Sequence, residues 1–184
     1  MYYKHLKGVL TNADCQSIIA RGETQGFEAA RVNQGNGTQA LMTRVRNNER
    51  VLFDDPALAL ALQAKLQAMG DFPYGFGGLR FHKTGTLFRI YKYTPGQYFK
   101  PHKDGSVEEA GCRSETTVLF YLNETDGGET ILMPQGKGQQ ASFIRIAPKP
   151  GDVLLFEHGF WHEGLAVNSG EKHVLRTDLF YAPA

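Results

Sequence analysis

The heptapeptide FKPHKDG, residues 99–105, places His102 and Asp104 two positions apart, shortly after a Pro-Gly turn. A strand points residues i and i+2 to the same side, so an imidazole and a carboxylate at this spacing can face one metal ion. The chain has six histidines in 184 residues, and chance would supply an H-x-D pattern in such a chain about one time in four. The pair is therefore a candidate metal site that needs a third ligand and a scaffold.

Three histidines nearer the C-terminus are available as the third ligand, namely His158, His162 and His173. Two neutral imidazoles and one carboxylate on one side of a metal, with open positions opposite, form the ligand set of non-haem Fe(II) oxygenases. The open positions accept a bidentate co-substrate and then O2. Residue types alone leave the choice among the three histidines open.

The last predicted strand separates its side chains by charge. One face consists of Lys172, Val174, Arg176 and Asp178. The other face, which suits packing against helices, consists of His173, Leu175, Thr177, Leu179 and Tyr181. Burial of unpaired charge is too costly to serve packing, so the charged face should line a wet cavity or hold an anion, unless it is an exposed edge. Its lysine and arginine could pair with the free end of a metal-chelating dicarboxylate.

Short β-branched and aromatic runs dominate the sequence after residue 80, and they comprise LFRIYKY, ETTVLFYL, ETILM, SFIRIA, DVLLFEH and HVLRTDLFY. Turn signals separate them, at Pro95-Gly96, Gly127-Gly128, Pro150-Gly151 and Ser169-Gly170. Regular short strands punctuated by glycine and proline are typical of an antiparallel sandwich or barrel. Such a scaffold would carry the candidate ligands at its mouth.

Two helices are predicted before residue 80. LTNADCQSIIARGE begins with Thr11 or Asn12 as N-cap. DDPALALALQAKLQAM has Pro56 in its first turn and an apolar stripe of Leu58, Leu62, Leu66 and Met69. Between them, the polar stretch at residues 30–50 carries Arg44, Arg46 and Arg50, and it is either a solvated loop or a mobile flap over the site.

The composition indicates one ordinary globular domain, with 41% hydrophobic and 21% charged residues. A net charge of +1 gives no reason to expect a nucleic acid or a membrane surface as partner. Two cysteines, Cys15 and Cys112, cannot form a disulfide framework, and no signal peptide or long apolar run is evident. We therefore expect a soluble protein in the cytoplasm.

Four segments resemble the catalytic domain of prolyl 4-hydroxylase-type dioxygenases that depend on 2-oxoglutarate and Fe(II). They are YKYTPGQYFKPHKDG, RSETTVLFYLNETDGGET, PKPGDVLLFEH and WHEGLAVNSGEKHVLRTDLFY. The resemblance is strong over about residues 80–182 and looser over the helical front end. It implies a mainly β fold with a double-stranded β-helix (jelly-roll) core and N-terminal helices packed on one sheet. We expect a single domain over residues 1–184, with helical support and a candidate flap in 1–80 and the jelly roll in 81–184.

By position, the family's catalytic metal ligands correspond to His102, Asp104 and His162, the last 58 residues after Asp104. The family's basic anchor for the C5 carboxylate of 2-oxoglutarate corresponds to Lys172, and Arg176 on the same strand face is a second candidate. Tyr93 and Tyr121 match tyrosines that contact 2-oxoglutarate in relatives, although both could also be core aromatics. The GGET stretch, from Gly127 to Thr130, resembles a strand entry in which glycine permits a tight turn near the cofactor, or a plain hairpin turn.

The resemblance implies an Fe(II)- and 2-oxoglutarate-dependent enzyme that uses O2 to hydroxylate a C–H bond, with succinate and CO2 as co-products. Ascorbate, which relatives often use to reduce oxidised iron, is an implied further cofactor. The substrate is expected to be a peptidyl-proline or, alternatively, a free amino acid or other small molecule. A non-catalytic metal-binding β-sandwich sensor is the rival from a different functional class. The remaining histidines, including His158, are expected to be structural or surface residues.

Overall fold

The computed structural model describes residues 2–33, 39–137 and 142–183. The helices are α1 Asn12–Gln25 and α2 Pro56–Ala68. The strands in chain order are β1 Tyr3–Leu6, β2 Glu28–Ala29, β3 Val32–Asn33, β4 Gln39–Ala40, β5 Glu49–Asp54, β6 Gly75–Phe76, β7 Leu79–Thr84, β8 Leu87–Tyr93, β9 Phe99–His102, β10 Glu108–Glu109, β11 Cys112–Tyr121, β12 Asp126–Gly127, β13 Thr130–Met133, β14 Ile144–Ile146, β15 Val153–Glu157, β16 Trp161–Gly164, β17 Val167–Ser169 and β18 Lys172–Pro183.

Two antiparallel sheets carry the fold. The major sheet has the order β1-β15-β11-β18-β8-β5-β2, with β10 added to β11 and the β6–β7 pair added to β18. The minor sheet has the order β14-β13-β16-β9. From β8 onward the chain alternates between the two sheets, which is the winding of a double-stranded β-helix. The predicted jelly-roll core is therefore confirmed.

Apolar side chains fill both sides of the major sheet. On one side, α1 and α2 pack through Cys15, Ile18, Leu62 and Leu66 against buried strand residues such as Ile90. On the other side, a second apolar cluster joins the major sheet to the minor sheet, and its members are Tyr121, Leu132, Ile146, Leu154, Phe156, Phe160 and Val174. The predicted packing of the helices on one sheet is thus confirmed. Neither described helix is long and apolar enough to cross a membrane.

The helix ends follow their sequence signals with one exception. Thr11 caps α1 in a capping box, since its hydroxyl accepts from the Asp14 amide at 3.1 Å and its own amide donates to the Asp14 carboxylate at 2.8 Å. Pro56 begins α2 as expected. Met69 was predicted to extend the buried stripe of α2, but it lies at the C-cap and is 40% exposed. The stripe therefore ends one turn earlier, at Leu66.

Residues 1–80 contribute strands as well as helices, which the sequence interpretation did not anticipate. β1 pairs with β15, and β5 pairs with β8 along its whole length from Glu49 to Asp54. The burial of β5 alternates, with Val51 and Phe53 buried and Leu52 exposed, so the period-2 signal was present in ERVLFD. The front end therefore adds strands to the major sheet besides its two helices.

Gly151 closes the turn before β15 in a conformation that only glycine fits. Its φ is +84°, and a Cβ at this position would lie 2.2 Å from the Leu10 carbonyl oxygen. We expect Gly151→Ala to lower the free energy of unfolding by about 3 kcal/mol, because backbone strain and a backbone clash add. The matched control is Gly170→Ala, where φ is +79° and no atom of the described residues lies within 4 Å of an added Cβ. Urea unfolding should show that Gly170→Ala lowers the free energy of unfolding by only about 1 kcal/mol. Equal losses in the two variants would contradict a clash at Gly151.

Candidate metal centre

The three predicted ligands converge from separate parts of the fold. His102 ends β9 and stands directly opposite His162 of β16 in the minor sheet, and Asp104 follows in the loop after β9. One ligand atom from each residue lies within 4.8 Å of the other two. The Nε2 atoms of His102 and His162 are 3.9 and 3.5 Å from the Asp104 carboxylate oxygens. Two imidazoles and one carboxylate therefore face a common centre.

Backbone carbonyls set the orientation of both imidazoles. Nδ1 of His102 lies 2.8 Å from the Lys100 carbonyl oxygen, and Nδ1 of His162 lies 3.1 Å from that of Phe160. A carbonyl only accepts, so each Nδ1 carries the proton and each Nε2 presents its lone pair to the centre. Burial lowers the pKa of His102 to about 3 and also lowers the pKa of His162. Both rings are thus neutral near pH 7, as metal ligation requires.

The Asp104 carboxylate is buried and fixed by two donors. The Thr117 hydroxyl donates to Oδ2 at 2.6 Å, and the Arg176 guanidinium lies 2.9 Å from Oδ1. Burial opposes ionisation of Asp104, but the charge of Arg176, the two neighbouring histidines and the Thr117 hydrogen bond together outweigh it and hold the pKa of this carboxyl well below its ordinary value. A neutral–neutral–anionic donor set of this type fits a divalent transition metal such as Fe(II).

A pocket that is partly open to solvent adjoins the three ligands. Its further walls are formed by Tyr91, Tyr93, Phe99, Leu119, Thr130, Glu163, Gly164, Lys172, Val174 and Arg176. The charged face predicted for the last strand therefore lines a cavity, whereas Leu175, Leu179 and Tyr181 pack in the core on the helix side.

The two predicted anchor residues have different surroundings. Lys172 is 3% exposed, and its ammonium group donates to the Gly128 carbonyl at 2.6 Å and lies 5.1 Å from the Tyr93 ring centre. Within the described residues it makes no ion pair with a carboxylate, and burial lowers its pKa to about 8. Arg176, by contrast, is paired with Asp104 at 2.9 Å and with Asp178 at 3.1 Å. Lys172 is thus the cation left available to an anionic ligand.

The two glycines of the GGET stretch form a tight turn beside this lysine. Gly128 has a φ of +72°, and a Cβ there would lie 3.1 Å from the Lys172 Cδ atom. Gly127 has a φ of +74°, and a Cβ there would lie 2.7 Å from the Ala166 carbonyl oxygen. The turn therefore requires both glycines, and Gly128 also makes room for the pocket lysine.

The two candidate tyrosines differ in position. Tyr93 lines the pocket, and burial raises its pKa to about 12, so its hydroxyl is a neutral donor. Tyr121 lies one layer deeper in the apolar cluster between the sheets, and its hydroxyl donates to Thr130 at 2.8 Å. Because Thr130 lines the pocket, Tyr121 supports the wall from behind. Direct contact between Tyr121 and a cofactor stays a prediction.

The other histidines near the C-terminus lie away from the metal centre. His158 is buried with Nε2 3.3 Å from Asp178, on the far side of Arg176 from Asp104. His173 faces α1, where Nε2 lies 3.5 Å from Glu23. The latter histidine belongs to a second cluster of potential ligands with Glu23 and Glu171, but the Lys92 ammonium already lies 2.9 and 3.4 Å from the two carboxylates.

Several residues at the centre were missed from the sequence. Thr117 could have been found by strand parity, because it shares a face of β11 with Tyr121. Phe99 stacks on His102 with ring centres 3.5 Å apart and an angle of 16°. Arg46, from the stretch considered a loop or flap, is 4% exposed and packs over Phe99 at 4.1 Å. A wholly solvated loop is wrong for this part of the stretch, whereas residues 34–38 lie outside the described part of the chain.

Known proteins resemble this chain in sequence and in fold. Residues 88–177 match the 2OG-Fe(II) oxygenase superfamily. Probable prolyl 4-hydroxylase 11 of Arabidopsis thaliana is 34% identical over 106 residues, which are 53% of this chain and 35% of that protein. Prolyl 4-hydroxylase 1 of the same plant is 27% identical over 50% of this chain and 35% of that protein. The chain thus spans about a third of the length of these two curated relatives.

Solved structures support the fold assignment. The viral collagen prolyl hydroxylase of Paramecium Bursaria Chlorella virus-1 has a TM-score of 0.66 at 22% identity, covering 98% of this chain and 96% of that one. A Trichoplax adhaerens prolyl hydroxylase, solved with a hypoxia inducible factor peptide, has a TM-score of 0.71 at 17% identity, covering 98% and 83%. Over residues 88–177 this chain is therefore similar to the 2OG-Fe(II) oxygenase superfamily, and its sequence resembles the prolyl 4-hydroxylases.

Proposed function

We propose that this protein is an Fe(II)- and 2-oxoglutarate-dependent dioxygenase that hydroxylates a C–H bond. The observation that carries the proposal is the convergence of His102, Asp104 and His162 beside a pocket with an available buried cation, Lys172. A site that only stored or sensed a metal would need no partner for a dicarboxylate. The lysine therefore favours an enzyme over a non-catalytic metal-binding sandwich.

His102, Asp104 and His162 would hold the iron, and Lys172 would bind the C5 carboxylate of 2-oxoglutarate. When bound, the iron supplies the oxidative chemistry that couples decarboxylation of 2-oxoglutarate to hydroxylation. Arg176 and Thr117 fix both oxygens of Asp104 and so orient that ligand before any metal arrives. The aromatic walls, including Tyr91 and Phe99, exclude water from the pocket.

A prolyl residue in a polypeptide is the substrate that we favour, because the curated relatives are named as prolyl 4-hydroxylases. A free amino acid or another small molecule is the alternative within the same chemistry. Nucleic acid remains unfavoured, since the net charge is only +1. Ascorbate as a further cofactor and a cytoplasmic location stay predictions.

The test is anaerobic loading with Fe(II), addition of 2-oxoglutarate and O2, and measurement of succinate. Uncoupled decarboxylation without substrate would already separate the enzyme from a sensor. A panel of proline-containing peptides and free amino acids should then identify a compound that increases succinate release and gains one oxygen by mass spectrometry. Iron-loaded protein that binds no 2-oxoglutarate and releases no succinate would contradict the proposal.

Affinity for 2-oxoglutarate should fall as the pH rises above about 8. Burial lowers the pKa of Lys172 to about 8 in the free protein, and the negative charge of nearby Glu129 offsets only part of this shift. The lysine therefore loses its charge above that pH. A bound carboxylate raises the lysine pKa, so binding takes up a proton and the dissociation constant should rise by up to about tenfold per pH unit. Calorimetric titration of the Mn(II)-loaded protein measures this. The control Lys172→Arg keeps its charge and should show a flat profile; a sloping one would contradict the assignment.

A further inference from the structure

Arg46 is a buried cation with an unused donor, and it packs over Tyr91 and Phe99, two rings of the pocket wall. It is 4% exposed, and among the described residues its Nη2 atom has no hydrogen-bond partner. A buried guanidinium nitrogen without a partner is costly, so native proteins rarely keep one without a purpose. Arg176 and Arg89 both face the carboxylate of Asp178, whereas Arg46 pairs with no carboxylate within the described residues.

The fold holds this guanidinium in one place. Nε donates to the Asn48 side-chain oxygen at 2.9 Å, and Asn48 is 1% exposed. The backbone of Arg46 bridges to Phe99, and the neighbouring Val45 carbonyl accepts from the Lys100 amide at 2.9 Å. Residues 45–46 are thus hydrogen-bonded along the edge of β9, the strand that ends in His102. Pre-organised donors of this kind favour recognition because little entropy is lost on binding.

The guanidinium of Arg46 packs against the aromatic wall of the pocket rather than facing the outer surface. Its guanidinium carbon lies 4.1 Å from the ring centre of Phe99 and 4.8 Å from that of Tyr91, and both rings line the pocket. Phe99 stacks on His102 at 3.5 Å, too close to leave room for the guanidinium on the same face. Arg46, Phe99 and His102 therefore form a three-layer stack that places Arg46 one ring away from the metal centre.

The bound cofactor and the metal ligands would use the two cations that line the pocket. Lys172 is assigned to the far carboxylate of 2-oxoglutarate, and Arg176 is paired with Asp104 and Asp178. In the described part of the chain, Arg46 is left as a positive charge without a carboxylate partner, one ring away from the metal centre beside which a substrate must lie. Guanidinium groups bind carboxylates through two parallel N–H donors.

Resting on the proposed function, we infer that Arg46 is a specificity-determining residue that binds a carboxylate of the substrate. The preferred substrate then carries a carboxylate close to the carbon that is hydroxylated. That carboxylate is either the α-carboxylate of a terminal or free amino acid, or an acidic side chain next to the reacting residue. A neutral internal segment would leave the Arg46 donor unpaired and should bind more weakly.

The test measures binding without turnover, by calorimetry on anaerobic protein loaded with Mn(II) and 2-oxoglutarate. One probe pair is acetyl-Ala-Pro with a free or an amidated carboxyl group, and the other is acetyl-Ala-Pro-Glu-amide with its Gln counterpart. The wild type should bind one charged probe at least about tenfold more tightly than its neutral partner, and the pair that responds identifies the source of the carboxylate. Equal binding within both pairs, or no binding of either charged probe, would overturn the inference.

Arg46→Met should remove this preference while the neutral probes bind as before. The matched control is Arg44→Met, which removes an exposed arginine two residues away on the same segment and should keep the preference. A retained preference in Arg46→Met would overturn the inference. Binding of 2-oxoglutarate and uncoupled succinate release are measured separately on the wild type, without any probe, because they depend on Lys172 and the metal ligands. Failure of the carboxylate preference therefore leaves the proposed oxygenase function standing, and failure of succinate release is a separate result.

Discussion

Replacement of Asp104 by alanine should abolish succinate release, with a loss of at least about 1000-fold, or about 4 kcal/mol of barrier. Asp104 supplies the one anionic ligand, and its side chain is 5% exposed and held by Thr117 and Arg176. Without it, two neutral imidazoles remain, which bind a divalent metal much more weakly. Calorimetric titration with Mn(II) should therefore show the loss of metal affinity directly, independently of turnover.

The fold of Asp104→Ala should survive, because Arg176 keeps its contact with Asp178 at 3.1 Å. A cooperative thermal transition and an unchanged far-UV spectrum check this point. The matched control is Asp54→Ala, which removes an exposed carboxylate at the end of β5. This carboxylate accepts a hydrogen bond from the Thr86 hydroxyl and does not line the pocket. Turnover near the wild-type level in Asp104→Ala, or an equal loss in Asp54→Ala, would remove the basis for the proposed oxygen chemistry.

Strand parity made much of this site predictable. The side-chain period of two places Lys172, Val174 and Arg176 on one face of β18, and the structure puts that face on the pocket. The H-x-D pair also reaches one centre, but the strand parity expected for it does not apply, because β9 ends at His102 and Asp104 lies in the following loop. Strand parity could not identify the third metal ligand among His158, His162 and His173, because this choice depends on which strand lies beside β9. The resemblance selected His162, and the register opposite His102 agrees with that choice.

Long-range charge pairing was the part that the sequence could not supply. Arg176 follows Asp104 by 72 residues and meets it only because β18 and the β9 loop are brought together by the winding of the two sheets. Local pattern therefore left Lys172 and Arg176 as equal candidates for the anchor. The burial of Arg46 was hidden for the same reason, since a polar sequence around it indicated solvent exposure whereas its packing partner is Phe99. Local polarity predicts exposure only where no distant strand covers the segment.

The different surroundings of Lys172 and Arg176 predict that their removal will have different effects. Lys172→Met should raise the dissociation constant for 2-oxoglutarate by about 10- to 150-fold, the equivalent of about 1.5–3 kcal/mol for a hydrogen bond to a charged group. Metal affinity should stay near the wild-type value, because the lysine contacts the Gly128 carbonyl and two tyrosine rings rather than a ligand. Titration of 2-oxoglutarate and of Mn(II), each by calorimetry, separates the two quantities.

Arg176→Met should show the reverse pattern and so serves as the matched variant on the same strand face. Loss of its contact with Asp104 at 2.9 Å leaves that ligand without its strongest partner, and removal of such a supporting group typically lowers metal affinity by about 10- to 100-fold. The affinity of the metal-saturated protein for 2-oxoglutarate should then change less than in Lys172→Met. If Arg176→Met instead weakened 2-oxoglutarate alone while Lys172→Met weakened neither ligand, the carboxylate anchor would be Arg176. The pairing of Arg176 with Asp104 would then have to be given up when 2-oxoglutarate binds.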